Sequence, residues 1–280
     1  SRDIAREKLA DNSFDNIIET QVKNIAATGA THIALATPYD EEFVPFLTRW
    51  VDSARSHGLK VWFRGNFSGW EKWFDHDQMT REEHVAATKA FIKANPDLFE
   101  DGDLFTPCPE CENGGPGDPR LTRDFEGHRR FLIATHNAAT QAFWEIGKKV
   151  KVGYHSMNYD VALAIMDRPT TAALGGVVTI DHYVKSPSQL NADVTKIAEL
   201  SGGKVFLGEY GAPIPDIHGM LSQEEQAKWL EESLSLLKNN QSLIGLSYWV
   251  GVGGSTKLWD EDGTARSAVS TLTKYYSQRQ

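Results

Sequence analysis

Apolar residues recur along the chain at two spacings that alternate with each other. Steps of three and four residues are typical of helices with one buried face, whereas short apolar runs bounded by glycine or charged residues are typical of buried strands. The first spacing predicts helices at about 16–27, 43–54, 80–94, 129–148, 158–172, 190–200, 222–238 and 265–276. The second spacing predicts seven strands, at 32–35, 60–64, 103–108, 150–155, 176–183, 204–208 and 243–249.

Strands that alternate with helices favour an α/β fold with a parallel sheet covered by helices. Neither a G-x-G-x-x-G segment after the first strand nor a G-x-x-x-x-G-K-[ST] segment is present, which disfavours an open nucleotide-binding sheet. Chain length and even strand spacing predict a (β/α)8 TIM barrel, as a single catalytic domain over residues 1–280. One further strand should precede the first helix. Either residues 1–14 form it irregularly, or the sequence begins after it.

Composition narrows the classes of partner. The chain has 280 residues, 40% hydrophobic content and a formal net charge of −9. This charge disfavours nucleic acid, because polyanion binding needs a basic surface, and no apolar run approaches the roughly 18 residues that span a membrane. We expect a monomer. No secretory signal is visible, but the sequence begins at Ser1 rather than Met and could be a processed or trimmed product, so a secreted or cell-surface location stays open.

The two cysteines, Cys108 and Cys111, form a single C-P-E-C motif. Such a motif can be a redox pair, half of a zinc site, a local disulfide or two small packed residues. A structural zinc site needs four ligands, so two would have to come from elsewhere. We therefore favour packing or a local disulfide and expect no metal.

Polar and aromatic residues follow the predicted strands at their carboxyl ends, where active sites form in TIM barrels. Two carboxylates, Glu110 and Glu209, follow strands that are three apart in order. Cleavage of a glycosidic bond needs two carboxyl groups, and aromatic rings pack on the apolar faces of sugars. The candidate site residues are Arg64, Asn66, Trp70, Glu110, Glu112, Asn113, His155, His182, Tyr183, Glu209 and Trp249.

Four short segments resemble motifs of the clan A glycoside hydrolases, which include cellulase family five. L-F-T-P-C-P-E-C-E-N-G-G, which contains Glu110, is similar to the motif of barrel strand four, and V-F-L-G-E-Y-G, which contains Glu209, to that of strand seven. D-H-Y at 181–183 is similar to the strand-six pattern, and Y-W at 248–249 to that of strand eight. With one strand upstream, the two glutamates fall on strands four and seven.

The resemblance implies a retaining glycosidase that acts on a β-linked carbohydrate without a metal or organic cofactor. Glu110 would be the general acid/base and Glu209 the nucleophile, with Tyr183 as a hydrogen-bond donor to the nucleophile. The sequence departs from the family pattern on both sides of Glu110, since Pro109 replaces an asparagine and Cys111 a proline. Asn113 could replace the sugar contact of that asparagine, and Glu112 is a rival acid/base.

The other candidates each have a structural alternative. Arg64 and Asn66 share strand parity and could face the cleft, although Arg64 could equally be structural. His182 and Tyr183 are adjacent, so one of them should pack outward. Trp70 and Trp73 could be sugar platforms or a packed lid, and His155 a substrate contact or a satisfied rim histidine. The helical tryptophans, predicted to lie in the core, are Trp50, Trp144 and Trp229.

Two other function classes stay open. The altered residues around Glu110 also suit an inactive barrel that only binds glycan. A metal-dependent barrel hydrolase or isomerase is the third hypothesis, for which His155 and His182 are the histidines at predicted strand ends.

Overall fold

A computed structural model describes residues 1–277 and contains two four-stranded parallel sheets. Their strand orders are β1-β2-β3-β4 and β5-β6-β7-β8, so neighbours in sequence are neighbours in the sheet. The strands are β1 (His32–Leu35), β2 (Lys60–Phe63), β3 (Leu104–Phe105), β4 (Lys151–Val152), β5 (Ser156–Asn158), β6 (Val177–Asp181), β7 (Lys204–Tyr210) and β8 (Leu243–Tyr248).

Helices connect successive strands, as the alternating pattern predicts, except between β4 and β5. The α-helices are α1 (Ala5–Lys8), α2 (Asp15–Ala27), α3 (Val44–Ser56), α4 (Ser68–Glu71), α5 (Arg81–Ala94), α6 (Pro119–Thr122), α7 (Phe125–Glu145), α8 (Tyr159–Ile165), α9 (Arg168–Ala173), α10 (Pro187–Ser201), α11 (Pro215–His218), α12 (Gln223–Leu237) and α13 (Ser267–Tyr276). Short 3₁₀ turns lie at Asn12–Phe14, Glu41–Phe43, Trp73–Asp75 and Pro96–Leu98. No helix within residues 1–277 combines the length and the apolar character needed to cross a membrane.

The predicted strand 150–155 is interrupted and runs on to Asn158 as β4 and β5. Tyr154, between them, has φ of 53°, in the left-handed region that non-glycine residues rarely occupy and a strand cannot contain. This break separates the two sheets, so the seven predicted strand segments appear as eight strands. The predicted strand 103–108 is reduced to Leu104–Phe105, after which the chain turns toward Glu110.

The first fourteen residues do not form a strand. They contain the short helix α1 and a 3₁₀ turn, with Ala5 fully buried. The segment lacks the β-branched run that favours strands and carries good helix formers instead. Ser1 Oγ accepts a hydrogen bond of 3.1 Å from the N–H of Ala36, just beyond β1. Within residues 1–277, β1 and β8 are not paired with each other, so the closed barrel is not complete in the described chain.

Because side chains alternate along a strand, every second side chain points toward the opposite sheet. In β2, Val61 and Phe63 are buried, Phe63 against the helices, while Trp62 points to the other side. The Trp62 ring lies 5.3 Å from that of Phe206 on β7, which in turn lies 5.1 Å from Tyr154. Since β2 and β7 belong to different sheets, this aromatic cluster shows that the sheets curve around a common interior.

Two helix predictions need correction. The helix at 158–172 ends at Ile165, and Asp167 caps a new helix by accepting a hydrogen bond of 2.8 Å from the N–H of Thr170. Trp144, predicted to be buried, is 80% exposed, whereas Trp50 and Trp229 are buried as predicted. Trp144 is on the outer side of the last turn of α7, whereas its neighbours Ala142 and Phe143 are buried.

Candidate active site

Three carboxyl groups come together where the strands end. Glu110 lies on the loop after β3, Asp181 is the last residue of β6, and Glu209 is near the end of β7. One oxygen atom from each lies within 4.8 Å of the other two. Asp181 and Glu209 are buried and Glu110 is half-buried, so Glu110 is the member most accessible from outside.

A bulge in β7 turns Glu209 toward this cluster. Gly208 has no partner between the pairs that β7 makes with Ile180 and Asp181 of β6. Because side chains alternate along a strand, the extra residue moves Glu209 to the inner face that Phe206 also occupies. A side chain at Gly208 would overlap the Asp181 carboxylate, so the close approach of the two strands requires glycine.

Arg64 supplies positive charge to the cluster from the end of β2. Its Nη1 donates to Glu209 Oε1, and its Nη2 donates to Asp181 Oδ2 at 2.6 Å and to Ser156 Oγ at 3.0 Å. The guanidinium also lies 5.4 Å from the ring centroid of Trp62. Burial alone would lower the pKa of Arg64, but the two carboxylates outweigh burial and raise it. Arg64 therefore stays charged and holds two strand ends together.

Tyr183 and His182 point to opposite sides of the chain, as their adjacency predicts. The Tyr183 hydroxyl donates to Glu209 Oε2 at 2.8 Å. His182 Nε2 lies 2.9 Å from Asp193 Oδ2, and its ring stacks on Tyr159 at 4.2 Å. Because Asp193 belongs to α10, His182 lies on the helix side of the strand and not among the cleft residues.

The backbone around Glu110 is tightly held. Glu110 has φ of 45°, its N–H donates to Ser156 O at 2.7 Å, and its carbonyl accepts from the N–H of Asn113 at 2.8 Å. Cys108 and Cys111 form a disulfide across the same turn, which is one of the alternatives that the C-P-E-C motif allows. The side chain of Glu110 therefore projects from a constrained loop.

Burial and the neighbouring carboxylates favour a proton on Glu110 and on Asp181. Burial raises the pKa of Glu110, and neighbouring Glu209 raises it further against the opposing effect of Arg64. Burial also raises the pKa of Asp181, although Arg64 opposes it. Burial and then the Glu209 charge raise the pKa of Tyr183, so its phenol stays a hydrogen-bond donor. Glu110 and Asp181 therefore hold their protons more tightly than exposed carboxyl groups do.

Glu112, the rival acid/base, is buried and is not one of the three clustered carboxyl groups. Its Oε1 accepts a hydrogen bond of 2.7 Å from the N–H of Asn158, while Oε2 is buried with no hydrogen-bond partner among the described residues. Burial raises the pKa of Glu112 to about 7. The neighbouring Asn113 is exposed. Glu112 thus links the loop that carries Glu110 to the end of β5.

Three predicted substrate-binding residues pack into the protein beside the cluster. Trp70 is 1% exposed and stacks on Phe131 with 4.8 Å between ring centroids, as a packed lid would. Asn66 Oδ1 lies 2.9 Å from His84 Nε2. His155 is buried, and burial lowers its pKa to about 3, so its ring is neutral. Trp70 is thus packed as its structural alternative expects, whereas Nδ1 of His155 is buried with no hydrogen-bond partner among the described residues.

The exposed aromatic candidate is Trp249, at the end of β8. Trp249 is 40% exposed. Its backbone N–H donates to Tyr210 O at 3.0 Å, and its peptide bond to Val250 is cis. Trp73, in the loop after β2, is instead covered by the guanidinium of Arg2 at 4.0 Å. Trp249 thus keeps an open ring surface that a sugar could contact.

The same carboxylates form the one set of three His, Cys, Asp or Glu side chains within residues 1–277 whose ligand atoms come close enough to share a metal ion. Arg64 already donates to two of these carboxylates, Asp181 and Glu209. A cation placed between them would have to compete with a buried guanidinium.

Two residues of the cluster are absent from the predicted site. Asp181 shares strand parity with Tyr183, which is a signal that could have identified it. Ser156, which accepts the Glu110 N–H with its carbonyl and receives Arg64 at its hydroxyl, could not be found, because the break between β4 and β5 decides where it lies.

Comparison with known proteins finds similarity in structure and none in sequence. No protein-family model matches the chain, and no curated protein sequence matches it significantly. The chain superposes on the β-glycosidase BGL167 with a TM-score of 0.67 at 13% identity, covering 95% of this chain and 87% of that one. It also superposes on the GH5_18 protein from Bifidobacterium longum, crystallised with Manβ1-4GlcNAc, with a TM-score of 0.71 at 16% identity, covering 97% and 74%.

A β-glucuronidase from Ruminococcus gnavus, in complex with D-glucuronic acid, matches with a TM-score of 0.64 at 13% identity. That match covers 93% of this chain but 45% of the glucuronidase, so the chain spans about half of that protein. At these identities the likeness concerns the fold. The chain thus has the α/β fold with parallel strands that these glycosidases share.

Proposed function

We propose that the chain is a retaining glycoside hydrolase that cleaves a β-glycosidic bond by double displacement. The observation that carries this proposal is the pair Glu110 and Glu209, which bring one oxygen atom each within 4.8 Å. Retaining glycosidases place their carboxyl groups about 5–5.5 Å apart, whereas inverting enzymes need about 6.5–9.5 Å to admit a water molecule. The fold shared with glycosidases supports the same class of reaction.

In the first step, Glu209 attacks the anomeric carbon while Glu110 gives its proton to the departing glycosidic oxygen. Arg64 and Tyr183 donate to the two oxygens of Glu209, and these donors orient the carboxylate for attack. In the second step, Glu110 removes a proton from water, and the water oxygen displaces Glu209 from the anomeric carbon. The anomeric configuration is retained because it is inverted twice.

The electrostatic coupling of the two glutamates suits this exchange of roles. Burial and the negative charge of Glu209 raise the pKa of Glu110, which favours the protonated acid at the start. Once Glu209 forms an ester with the sugar, that negative charge is gone and the pKa of Glu110 should fall. Glu110 then serves as the base that the second step needs.

Within this class, we propose a neutral sugar as the substrate. Arg64, the cation of the cluster, is occupied by Asp181 and Glu209. Arg2, near the entrance, pairs with Glu71 at 3.6 Å. Among the described residues, both of these cations are already paired with carboxylates, so a sugar carboxylate would meet like charge, and we expect β-glucosides or β-mannosides to be turned over faster than β-glucuronides or β-galacturonides.

The test is hydrolysis of a panel of nitrophenyl β-glycosides that contains these four sugars, with the product anomer read by proton NMR. We expect the β-anomer as first product, and we expect Glu209→Gln to lower kcat/KM by at least ~10³-fold, as loss of a nucleophile does. Thermal unfolding of the variant near the wild-type temperature is the necessary control.

The contrary outcomes are distinct. Release of the α-anomer would replace the retaining mechanism by an inverting one. Binding of oligosaccharides without turnover of any glycoside would instead favour the inactive glycan-binding barrel.

A further inference from the structure

Glu110 lies inside the short ring of backbone that a disulfide closes. The disulfide joins Cys108 to Cys111, so the closed segment contains Pro109 and Glu110 between the bridged residues. Both cysteines are buried, with exposures of 0% and 2%. The side chain of Glu110 is half-buried and belongs to the carboxyl cluster. The bridge therefore surrounds the proposed acid/base and nothing else of the site.

The conformation of Glu110 explains why a constraint is useful there. Its φ of 45° is one that side chains other than glycine rarely adopt, so a free loop would leave it readily. Pro109 fixes its own φ and restricts Cys108 before it. The two hydrogen bonds of the Glu110 backbone, to Ser156 and from Asn113, are made in this conformation.

The ring is anchored to the rest of the protein on both sides. Cys108 Sγ lies 3.6 Å from Asn66 Nδ2, and the carbonyl of Cys111 accepts a hydrogen bond of 3.3 Å from Trp70 Nε1. Trp70 is itself buried against Phe131. The bridge thus connects the turn at Glu110 to a packed tryptophan that belongs to the loop after β2.

A stabilising role for the whole fold is a weak explanation of this bridge. The stabilisation that a disulfide provides through chain entropy grows with the length of the loop that it closes. The loop between Cys108 and Cys111 is among the shortest possible, so its effect on the unfolded chain is small. The effect of the bridge is local, on the turn that carries Glu110.

We propose that the disulfide Cys108–Cys111 is a positioning element that holds Glu110 where it can protonate the leaving oxygen and activate water. This inference rests on the proposed function. It predicts that loss of the bridge weakens proton transfer while the attack by Glu209 continues. A misplacement of about 1 Å costs on the order of 10²-fold in rate.

The test compares leaving groups in the double variant Cys108→Ser/Cys111→Ser. A dinitrophenyl β-glycoside leaves without protonation, whereas a phenyl β-glycoside of the same sugar needs the acid. The sugar is the one of the nitrophenyl panel that the wild type hydrolyses fastest. We expect kcat/KM to fall ~10²-fold on the phenyl glycoside and less than about threefold on the dinitrophenyl glycoside. Azide, which attacks without a base, should restore kcat on the dinitrophenyl glycoside.

Controls separate this effect from general damage. Leu121→Ala alters an exposed side chain in α6, on the same connection between β3 and α7, and should leave both rates near the wild-type values. If the double variant does not fold, Pro109→Gly loosens the turn with the bridge intact and should give the same dependence on leaving group with a smaller loss. Equal losses on both glycosides, or no loss, would overturn the positioning role.

A second readout does not depend on any sugar. Carbon NMR of labelled glutamate carboxyls follows the titration of Glu110, assigned by comparison with Glu110→Gln. Burial and Glu209 raise the pKa of Glu110 in the intact turn, so its pKa should fall toward the usual value when the bridge is removed. An unchanged pKa would contradict the inference. A wild type that hydrolyses no glycoside would contradict the proposed function alone.

Discussion

At the scale of single residues, Arg64 is the organising element of the site. One guanidinium contacts β5, β6 and β7 through Ser156, Asp181 and Glu209. Its planar shape allows donors to reach carboxylates on different strands, which a single ammonium group cannot do in the same way. The charge and the shape of Arg64 are therefore separable in an experiment.

We expect Arg64→Lys to lower kcat/KM by about 10²-fold although it keeps the positive charge, because the lysine cannot orient Glu209 and Asp181 together. The measurement is steady-state hydrolysis of the best nitrophenyl glycoside. Arg55→Lys is the matched control. Arg55 makes a comparable pair with Asp103, at 2.8 Å and 2.5 Å, before the start of β3. That control should lose stability and keep kcat/KM, and equal losses of activity in the two variants would contradict a specific role for Arg64.

At the scale of elements, the bulge in β7 decides which side Glu209 faces. Gly208→Ala would place a methyl group against the Asp181 carboxylate and within 2.9 Å of Thr179 Cγ2. We expect β6 and β7 to move apart. The carboxyl groups of Asp181 and Glu209 would then lose their relative positions, and kcat/KM should fall by about 10²-fold.

Gly203→Ala is the control for this prediction. A methyl group at Gly203 would also be crowded, at 2.6 Å from Thr171 Cγ2, but it lies before the start of β7 and away from the cluster. Both variants should unfold at lower temperature than the wild type, and Gly208→Ala alone should lose activity. Comparable activity of the two variants at a temperature where both are folded would refute the role of the bulge.

The same elements mark the limit of what the sequence predicts. Apolar spacing located the strands at 32–35 and 60–64 well, because local burial determines them. It missed the break at Tyr154, which depends on a backbone conformation without a clear local signature. The sequence shows that Asp181 and Tyr183 have the same strand parity. It does not show the bulge at Gly208, because the neighbouring strand β6 determines which residues of β7 are paired. The prediction that Trp144 is buried is wrong because it rests on the residue type, whereas the buried side of this helical turn is occupied by Ala142 and Phe143.

At the scale of the whole molecule, the stability of the fold should depend on the ionisation of a group outside the carboxyl cluster. Glu112 is buried, and its pKa is raised from an ordinary 4.5 to about 7. Between these two pH values the unfolded chain loses the proton of Glu112 while the folded chain keeps it. Stability from this group is therefore full below pH 4.5, is lost as the pH rises to about 7, and is constant above that value.

We expect Glu112→Gln, which stays neutral, to escape that loss. The free energy of unfolding of the variant, minus that of the wild type, should rise by about 3 kcal/mol across this window. Urea denaturation at the two ends of the window measures it. Glu261→Gln, at an exposed position, should show a difference that does not change with pH. Because Glu112 connects the Glu110 loop to β5, a constant difference for Glu112→Gln would mean that this connection tolerates the charge, and it would contradict the predicted dependence of stability on pH.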